Sequence, residues 1–146
     1  DYWHGQWKLD RDGNKAMFPF GYGCSYTTFS YVDASVEIAE VVKVRCAVRN
    51  TGARNGATVV QVYVGRNEST IERPLRRLVA FKRVDVAAGE TVQVECEVPL
   101  ERLATRDVQS HSWFVEGGTW NCEIGQFSGD PESLSALFHV QERIEL

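Results

Sequence analysis

The stretch VVKVRCAVRN (residues 41–50) alternates apolar and polar side chains without a break. A period of two places every second side chain on the same face, which predicts a half-buried β-strand. The stretch TVQVECEV (residues 91–98) alternates just as strictly. Each stretch therefore has one apolar face to bury and one polar face that can meet water.

Strand-like stretches continue along most of the chain, and turn signals separate them at intervals of roughly ten residues. Only PLERLATRDV (residues 99–108), which opens with a proline, predicts a turn of helix. About eight short strands in this arrangement predict an all-β fold, an immunoglobulin or fibronectin type III-like antiparallel β-sandwich. A closed barrel is the alternative. The other predicted strands cover residues 57–65, 75–86, 111–116, 119–125 and 134–140, with a weakly alternating stretch that starts at Val32.

An N-terminal arm without this periodicity precedes the strands. Its last part, FPFGYGCSYTTF (residues 18–29), is too apolar for a solvated tail and too rich in turn formers for a regular element. We expect residues 1–31 to form an extended, turn-rich connector and residues 32–146 to form the sandwich. Glycines at positions 21 and 23 would let the connector bend closely.

Composition and charge exclude several classes of protein. The 146 residues are 43% hydrophobic and 25% charged, which is the balance of an ordinary globular domain. A formal net charge of −4 argues against nucleic acid as a partner, since such surfaces are basic. No apolar run approaches the ~20 residues that would span a bilayer, so we expect no membrane partner. The start at Asp1, without a leader pattern, is what we expect of the trimmed part of a longer protein.

Three of the four cysteines occupy inward positions of alternating strands. Cys46, Cys96 and Cys122 are each in phase with Val, Trp or Ile neighbours two residues away. A free thiol in such a position acts as a small hydrophobic side chain. We therefore expect all four cysteines, Cys24 included, to be reduced and slow to react, with a bridge between two facing strands as the alternative. Reduced thiols favour a cytoplasmic location, although a secreted protein remains open.

The sequence shows no catalytic constellation. Acid–base hydrolysis needs paired carboxylates at a fixed separation, whereas Glu37, Glu95, Glu97 and Glu123 fall at outward strand positions. The stretch LDRDGN (residues 9–14) loosely resembles a calcium loop but lacks the closing Glu, so an Asp-Gly turn is the better interpretation. We expect no catalytic, cofactor-binding or metal-binding residue. The basic stretch RPLRR, followed by Lys82 and Arg83, is expected to be a solvated edge or to supply ion-pair partners.

Four blocks of the sequence together resemble the C-terminal fibronectin type III-like domain of glycoside hydrolase family three, which contains β-glucosidases and β-xylosidases. FPFGYG with SYT is the most specific part. Within it, Cys24 stands where the family usually has Leu, which would exchange one core residue for another. Gly117 and Gly118 replace the Pro and Glu that the family often has. The blocks are MFPFGYGCSYTTF (17–29), VRNTGARNGATVVQVYV (48–64), RPLRRLVAFKRVDVAAGETVQVECEV (73–98) and WFVEGGTWNCEIG (113–125).

The resemblance implies that the chain is a non-catalytic accessory domain. The family's catalytic Asp and Glu belong to preceding barrel and α/β domains, which this chain does not contain. Residues 1–31 would be the connector from the α/β domain, and the catalytic domains would be the partners. Self-association through the arm is a further expectation. The candidate residues for contact between domains are Phe18, Phe20, Tyr22 and Tyr26.

Two other functions remain open at the level of sequence. A carbohydrate-binding module could use Trp3, Trp7 or Trp113 as stacking platforms, whereas Trp120 fits the core phase of a strand. The other possible function is that of a free-standing immunoglobulin-like interaction domain. The sequence does not indicate the sugar specificity or the oligomeric state.

Overall fold

The computed structural model describes residues 2–146 and contains one short helix and ten strands. Helix α1 spans Gly5–Arg11, and a 3₁₀ turn spans Leu100–Arg102. The strands are β1 (Phe29–Ile38), β2 (Val41–Asn50), β3 (Gly56–Gly65), β4 (Arg77–Val86), β5 (Thr91–Pro99), β6 (Thr105–Arg106), β7 (Trp113–Val115), β8 (Gly118–Gly125), β9 (Leu134–Val140) and β10 (Ile144–Glu145).

The strands form open antiparallel sheets, so the predicted sandwich is confirmed and the closed barrel is not. One main sheet has the order β1-β2-β5 and the other has the order β4-β3-β8-β9. A small third sheet has the order β10-β7-β6. Strands β2 and β5 pair so that Val44 faces Cys96 and Cys46 faces Val94. All four of these side chains are buried, as the alternation predicts.

Strand β1 begins at Phe29 rather than at Val32, and it contains a bulge. Phe29 and Tyr31 belong to the buried core. The pairing register with β2 shifts between Val32 and Ser35, and Asp33 has a φ of 58°. A bulge moves the inward phase from odd to even positions, which explains why the sequence alternates only weakly here.

The arm is not extended throughout, which corrects the expectation for residues 5–11. These residues form α1, and no residue of this helix is buried. With no wide apolar face, a seven-residue helix produces no detectable period in the sequence. In the stretch with the predicted helical turn, the structure forms only the short 3₁₀ turn. Within residues 2–146, no helix is long and apolar enough to cross a bilayer.

The cysteines divide into two groups. Cys46, Cys96 and Cys122 are buried, and burial raises the pKa of Cys46 to about 11 and that of Cys122 to about 12. Cys24 is exposed. The expectation that Cys24 is a core residue is therefore wrong, because it lies in the arm before the first strand, where no second layer covers it.

Candidate interdomain surface

The arm folds back onto the outer face of β3, where two buried polar side chains hold its backbone. Gln61 Nε2 donates to the carbonyl oxygens of Gly21 at 3.0 Å and Gln126 at 2.6 Å. Tyr63 Oη donates to Gln61 Oε1 at 2.6 Å and lies 3.5 Å from the Phe20 carbonyl oxygen. Burial raises the pKa of Tyr63 to about 12, so its hydroxyl remains a donor. Two side chains of one strand thus fix the turn at residues 20–21.

This turn requires glycine at position 21. Its φ is +81°, in the left-handed region that side chains disfavour. A Cβ atom there would lie 2.0 Å from Gln61 Oε1. The close approach between the arm and β3 therefore depends on the absence of a side chain at Gly21.

The four predicted contact residues are all exposed. Phe18 is 70% exposed, Phe20 56%, Tyr22 45% and Tyr26 92%. The structure brings together the rings of Phe18 and Tyr22, whose centroids are 5.8 Å apart, and Tyr22 and Phe127, at 5.3 Å. We call the surface formed by these five residues the aromatic surface. An apolar area of this kind on a fixed backbone is typical of an interaction site.

Polar contacts hold α1 and the residue Trp3 before it against the rest of the chain. Gln6 Oε1 accepts a hydrogen bond from the Phe20 backbone N–H at 3.1 Å. Arg76 donates from Nε to Glu123 at 2.8 Å, and its other side faces Asp10 at 3.8 Å. Trp3 Nε1 donates to Glu72 at 2.7 Å. The sequence did not predict these contacts, because the partners come from distant segments.

A fully buried asparagine joins the arm to the loops at one end of the sandwich. Asn50 Oδ1 accepts from Thr27 Oγ1 at 2.7 Å and from the Gly52 backbone N–H at 3.0 Å. Its amide nitrogen donates to the carbonyl oxygens of Arg54 at 2.7 Å and Val86 at 2.9 Å. Every polar atom of this side chain is therefore used.

A charged cluster around Glu116 closes the long loop between β3 and β4. Glu116 accepts from Arg73 at 2.8 Å, from Ser69 at 2.7 Å and from the Thr70 backbone N–H at 3.1 Å. Burial opposes ionisation of Glu116, but these hydrogen bonds and the nearby arginines hold the pKa of its carboxyl below the usual value. The same residue's carbonyl oxygen accepts from Trp120 Nε1 at 3.0 Å. Arg73 thus serves as an ion-pair partner, as expected for the basic stretch.

The tryptophans occupy different environments. Trp120 is buried and stacks on Phe138 with ring centroids 6.2 Å apart, which confirms its predicted core position. Trp113 is 51% exposed, and Trp7 is half-buried against the sheet. Trp3 lies under the Arg11 guanidinium, 4.9 Å from the ring centroid. Trp7, Trp113 and Trp120 line one cavity together.

The two aspartates of the stretch that loosely resembled a calcium loop face basic side chains. Asp12 is paired with Arg11 at 2.9 Å and Lys8 at 3.4 Å, and Asp10 points towards Arg76. Among residues 2–146, no group of three or more His, Cys, Asp or Glu side chains is arranged to hold a metal ion.

A family model described as a fibronectin type III-like domain matches residues 58–128. The chain contains a fibronectin type III-like domain. The resemblance drawn from the sequence is confirmed, because a similar stretch forms part of β-glucosidases and of a β-xylosidase. β-Glucosidase B of Emericella nidulans is 39% identical over 114 residues, which cover 77% of this chain and 14% of the enzyme. A xylan 1,4-β-xylosidase of Xylanibacter ruminicola is 36% identical over 80% of this chain and 14% of that protein.

Solved structures show the same relation. β-Glucosidase 3B from Thermotoga neapolitana has a TM-score of 0.90 at 33% identity, covering 100% of this chain and 20% of the enzyme. A β-glucosidase from Kluyveromyces marxianus has a TM-score of 0.91 at 31% identity, covering 99% of this chain and 18% of that one. The chain thus spans about a fifth or less of these relatives. By itself it is a non-catalytic domain, and the enzymes that it matches are glycosidases.

Proposed function

We propose that this domain is the accessory part of a longer glycoside hydrolase of family three. The longer enzyme would cleave terminal β-glycosidic bonds. The aromatic surface carries the proposal, since it combines exposed rings with a backbone that Gln61 and Tyr63 hold in place. A fully buried Phe side chain contributes roughly 1.5–3 kcal/mol. Several such rings are enough to hold a contact between domains of about 600–1,500 Å². The catalytic domains are the proposed partners of this surface.

The test uses the longer protein with Phe18→Ser and Tyr22→Ser together. We expect proteinase K to release the 146-residue domain faster, because the contact that shields the connector is weakened. The control is Leu137→Ser on β9, a side chain 69% exposed and so comparable with Phe18. Equal release rates for the double variant, the control and the unchanged protein would contradict the proposed contact.

We also propose that the isolated chain self-associates through the aromatic surface, because the proposed partner is absent. Exposed apolar patches on a monomer tend to recruit a partner. Sedimentation velocity should show a concentration-dependent dimer for the unchanged chain. The same double variant should remain monomeric at equal concentration. The Leu137→Ser control should dimerise like the unchanged chain. A monomer for all three proteins would refute the self-association.

A carbohydrate-binding function is the second candidate, because Trp7 and Trp113 line one cavity of about 390 Å³. That volume lies within the range of small-molecule sites, roughly 300–1,000 Å³. Titration of the chain with cello-oligosaccharides, followed by tryptophan fluorescence, tests this candidate. Saturable binding that Trp113→Ala abolishes would favour it over a purely structural role.

A further inference from the structure

A cleft beside α1 gathers arginines from several distant segments of the chain. Arg73 comes from the loop before β4, Arg77 from the start of β4, Arg102 from the 3₁₀ turn and Arg106 from β6. This cleft is the cavity of about 390 Å³ that Trp7 and Trp113 line, and aromatic rings form much of the rest of its wall. We call it the arginine cleft.

Most of these guanidinium groups have no carboxylate partner. Arg73 is neutralised by Glu116. Arg77 donates to the Ala104 carbonyl oxygen at 3.1 Å, and Arg106 lies 3.5 Å from His111 Nδ1. None of Arg77, Arg102 and Arg106 forms an ion pair with any residue in the range 2–146. The chain as a whole is acidic, with a net charge of −4, so the positive charge of the cleft is opposite to that of the whole chain.

Such an arrangement suits carboxylate groups supplied from outside. A guanidinium presents a planar fork of N–H donors that matches a carboxylate and is weakly hydrated, so it is the preferred cation at interfaces. A concave surface lined by one sign of charge also concentrates the electrostatic field and attracts the opposite charge. Without a carboxylate, the three cations repel one another. A partner that brings acidic side chains would relieve that repulsion.

The position of the cleft indicates the side from which the partner comes. Tyr2 and Trp7 line it, so the arm starts at its wall. Trp7 also lines the neighbouring cavity together with Phe20, which belongs to the aromatic surface. The arginine cleft and the aromatic surface are therefore adjacent parts of one face of the molecule. A protein segment that precedes the arm and contacts the aromatic surface would also reach the cleft.

We propose that the arginine cleft receives Asp or Glu side chains from the catalytic part of the longer enzyme, an inference that rests on the proposed function. The aromatic rings would supply apolar area, and the arginines would select an acidic partner surface and fix its register. Because the pairing is electrostatic and partly exposed, salt should weaken it.

The test reverses charge at the two exposed arginines, Arg102→Glu with Arg106→Glu, and Arg49→Glu on β2 serves as the control. Arg49 is also exposed. In the longer protein we expect proteinase K to release the domain about tenfold faster for the double variant than for the control. In the isolated chain the same double variant should melt at the same temperature or higher, because it removes like-charge repulsion. Opposite effects in the two contexts are specific to a contact with an acidic partner.

Several outcomes would overturn the inference. Equal release rates for the double variant and the control would show that the cleft receives nothing from the catalytic part. A lower melting temperature of the isolated double variant would show a structural role for the arginines. Saturable binding of glucuronate, but not glucose, to the isolated chain would assign the cleft to a small acidic ligand. If the Phe18 and Tyr22 variant accelerates release and the charge variant does not, only this inference fails and the proposed function stands.

Discussion

At the scale of single residues, Asn50 shows how one buried side chain can hold several segments together. Its side chain satisfies groups of the arm, the β2–β3 loop and the end of β4 at once. Buried polar groups are costly when a partner is lost, because the remaining donors and acceptors stay desolvated. The stretch NTG (residues 50–52) therefore holds several segments together, although its sequence predicts only a loop.

Replacement of Asn50 by Ala should destabilise the domain strongly. It leaves Thr27, Gly52 and two carbonyl oxygens without their partner, at a cost on the order of 3 kcal/mol. For a domain of this size, that corresponds to a fall in melting temperature of roughly 6–12 °C. The matched control is Asn67→Ala in the exposed loop after β3, which should change the melting temperature very little. Equal melting temperatures for both variants would contradict the proposed role of Asn50.

The thiols should react at two different rates. Thiolates are the reactive species, and burial raises the pKa of Cys46, Cys96 and Cys122. At pH 8 a thiol reagent should therefore label one group, Cys24, in the native chain, and four in denaturant. Cys24→Ser should remove the fast phase alone. A denatured count below four would mean a disulfide, and a second fast group would mean that a core thiol is open.

At the scale of elements, each strand has an inward face and an outward face that neighbouring residues define. Val94 is buried against Cys46, whereas Glu95, the next residue, forms an exposed ion pair with Arg45 at 2.5 Å. Exposed ion pairs contribute only about 0–1 kcal/mol. Neighbouring positions in one strand should therefore differ widely in their tolerance of substitution.

Val94→Asp should unfold the domain, because a buried unpaired charge costs several kcal/mol against a total stability of roughly 5–15 kcal/mol. Glu95→Ala should shift the free energy of unfolding by only about 0.5 kcal/mol. Urea titrations of both variants, followed by circular dichroism, measure the difference. Comparable losses at the two positions would show that the strand faces are assigned wrongly.

The strand faces could be predicted from sequence because burial has a local signature of period two, as in β2 and β5. Helix α1 could not, because a helix of seven residues without a buried face produces no such period. The exposure of Cys24 was also missed. The arm has no regular alternation, so its sequence does not indicate whether a given side chain points inward or outward. The arginine cleft joins residues from segments far apart, Arg73 and Arg106 among them, which only the folded chain brings together.

At the scale of the whole molecule, the features assigned to a partner contact lie next to one another. The aromatic surface, α1 and the arginine cleft follow one another there, whereas the exposed side of β2 and β5 is charged and polar. A domain that serves a larger enzyme needs such an asymmetry. Under the proposed function, the first side would bind the catalytic part and the other would remain hydrated.

The isolated chain should not hydrolyse 4-nitrophenyl β-glucoside. Within residues 2–146, the carboxylates singled out as candidates lie on outward strand positions or in ion pairs, and retaining hydrolysis needs two carboxyl groups about 5–5.5 Å apart around an open site. Release of 4-nitrophenol should therefore equal that of a blank. Turnover above the blank that a Glu→Gln substitution in this chain abolishes would refute the accessory role.

The first and last described residues, Tyr2 and Leu146, are both associated with Trp113. Tyr2 lines the arginine cleft together with Trp113, and the backbone N–H of Leu146 donates to the Trp113 carbonyl oxygen at 2.9 Å. A short Gly-Ser linker could therefore join the ends, and new ends could be opened in the exposed turn between Ala39 and Glu40. Such a circular permutant should fold to the same sandwich.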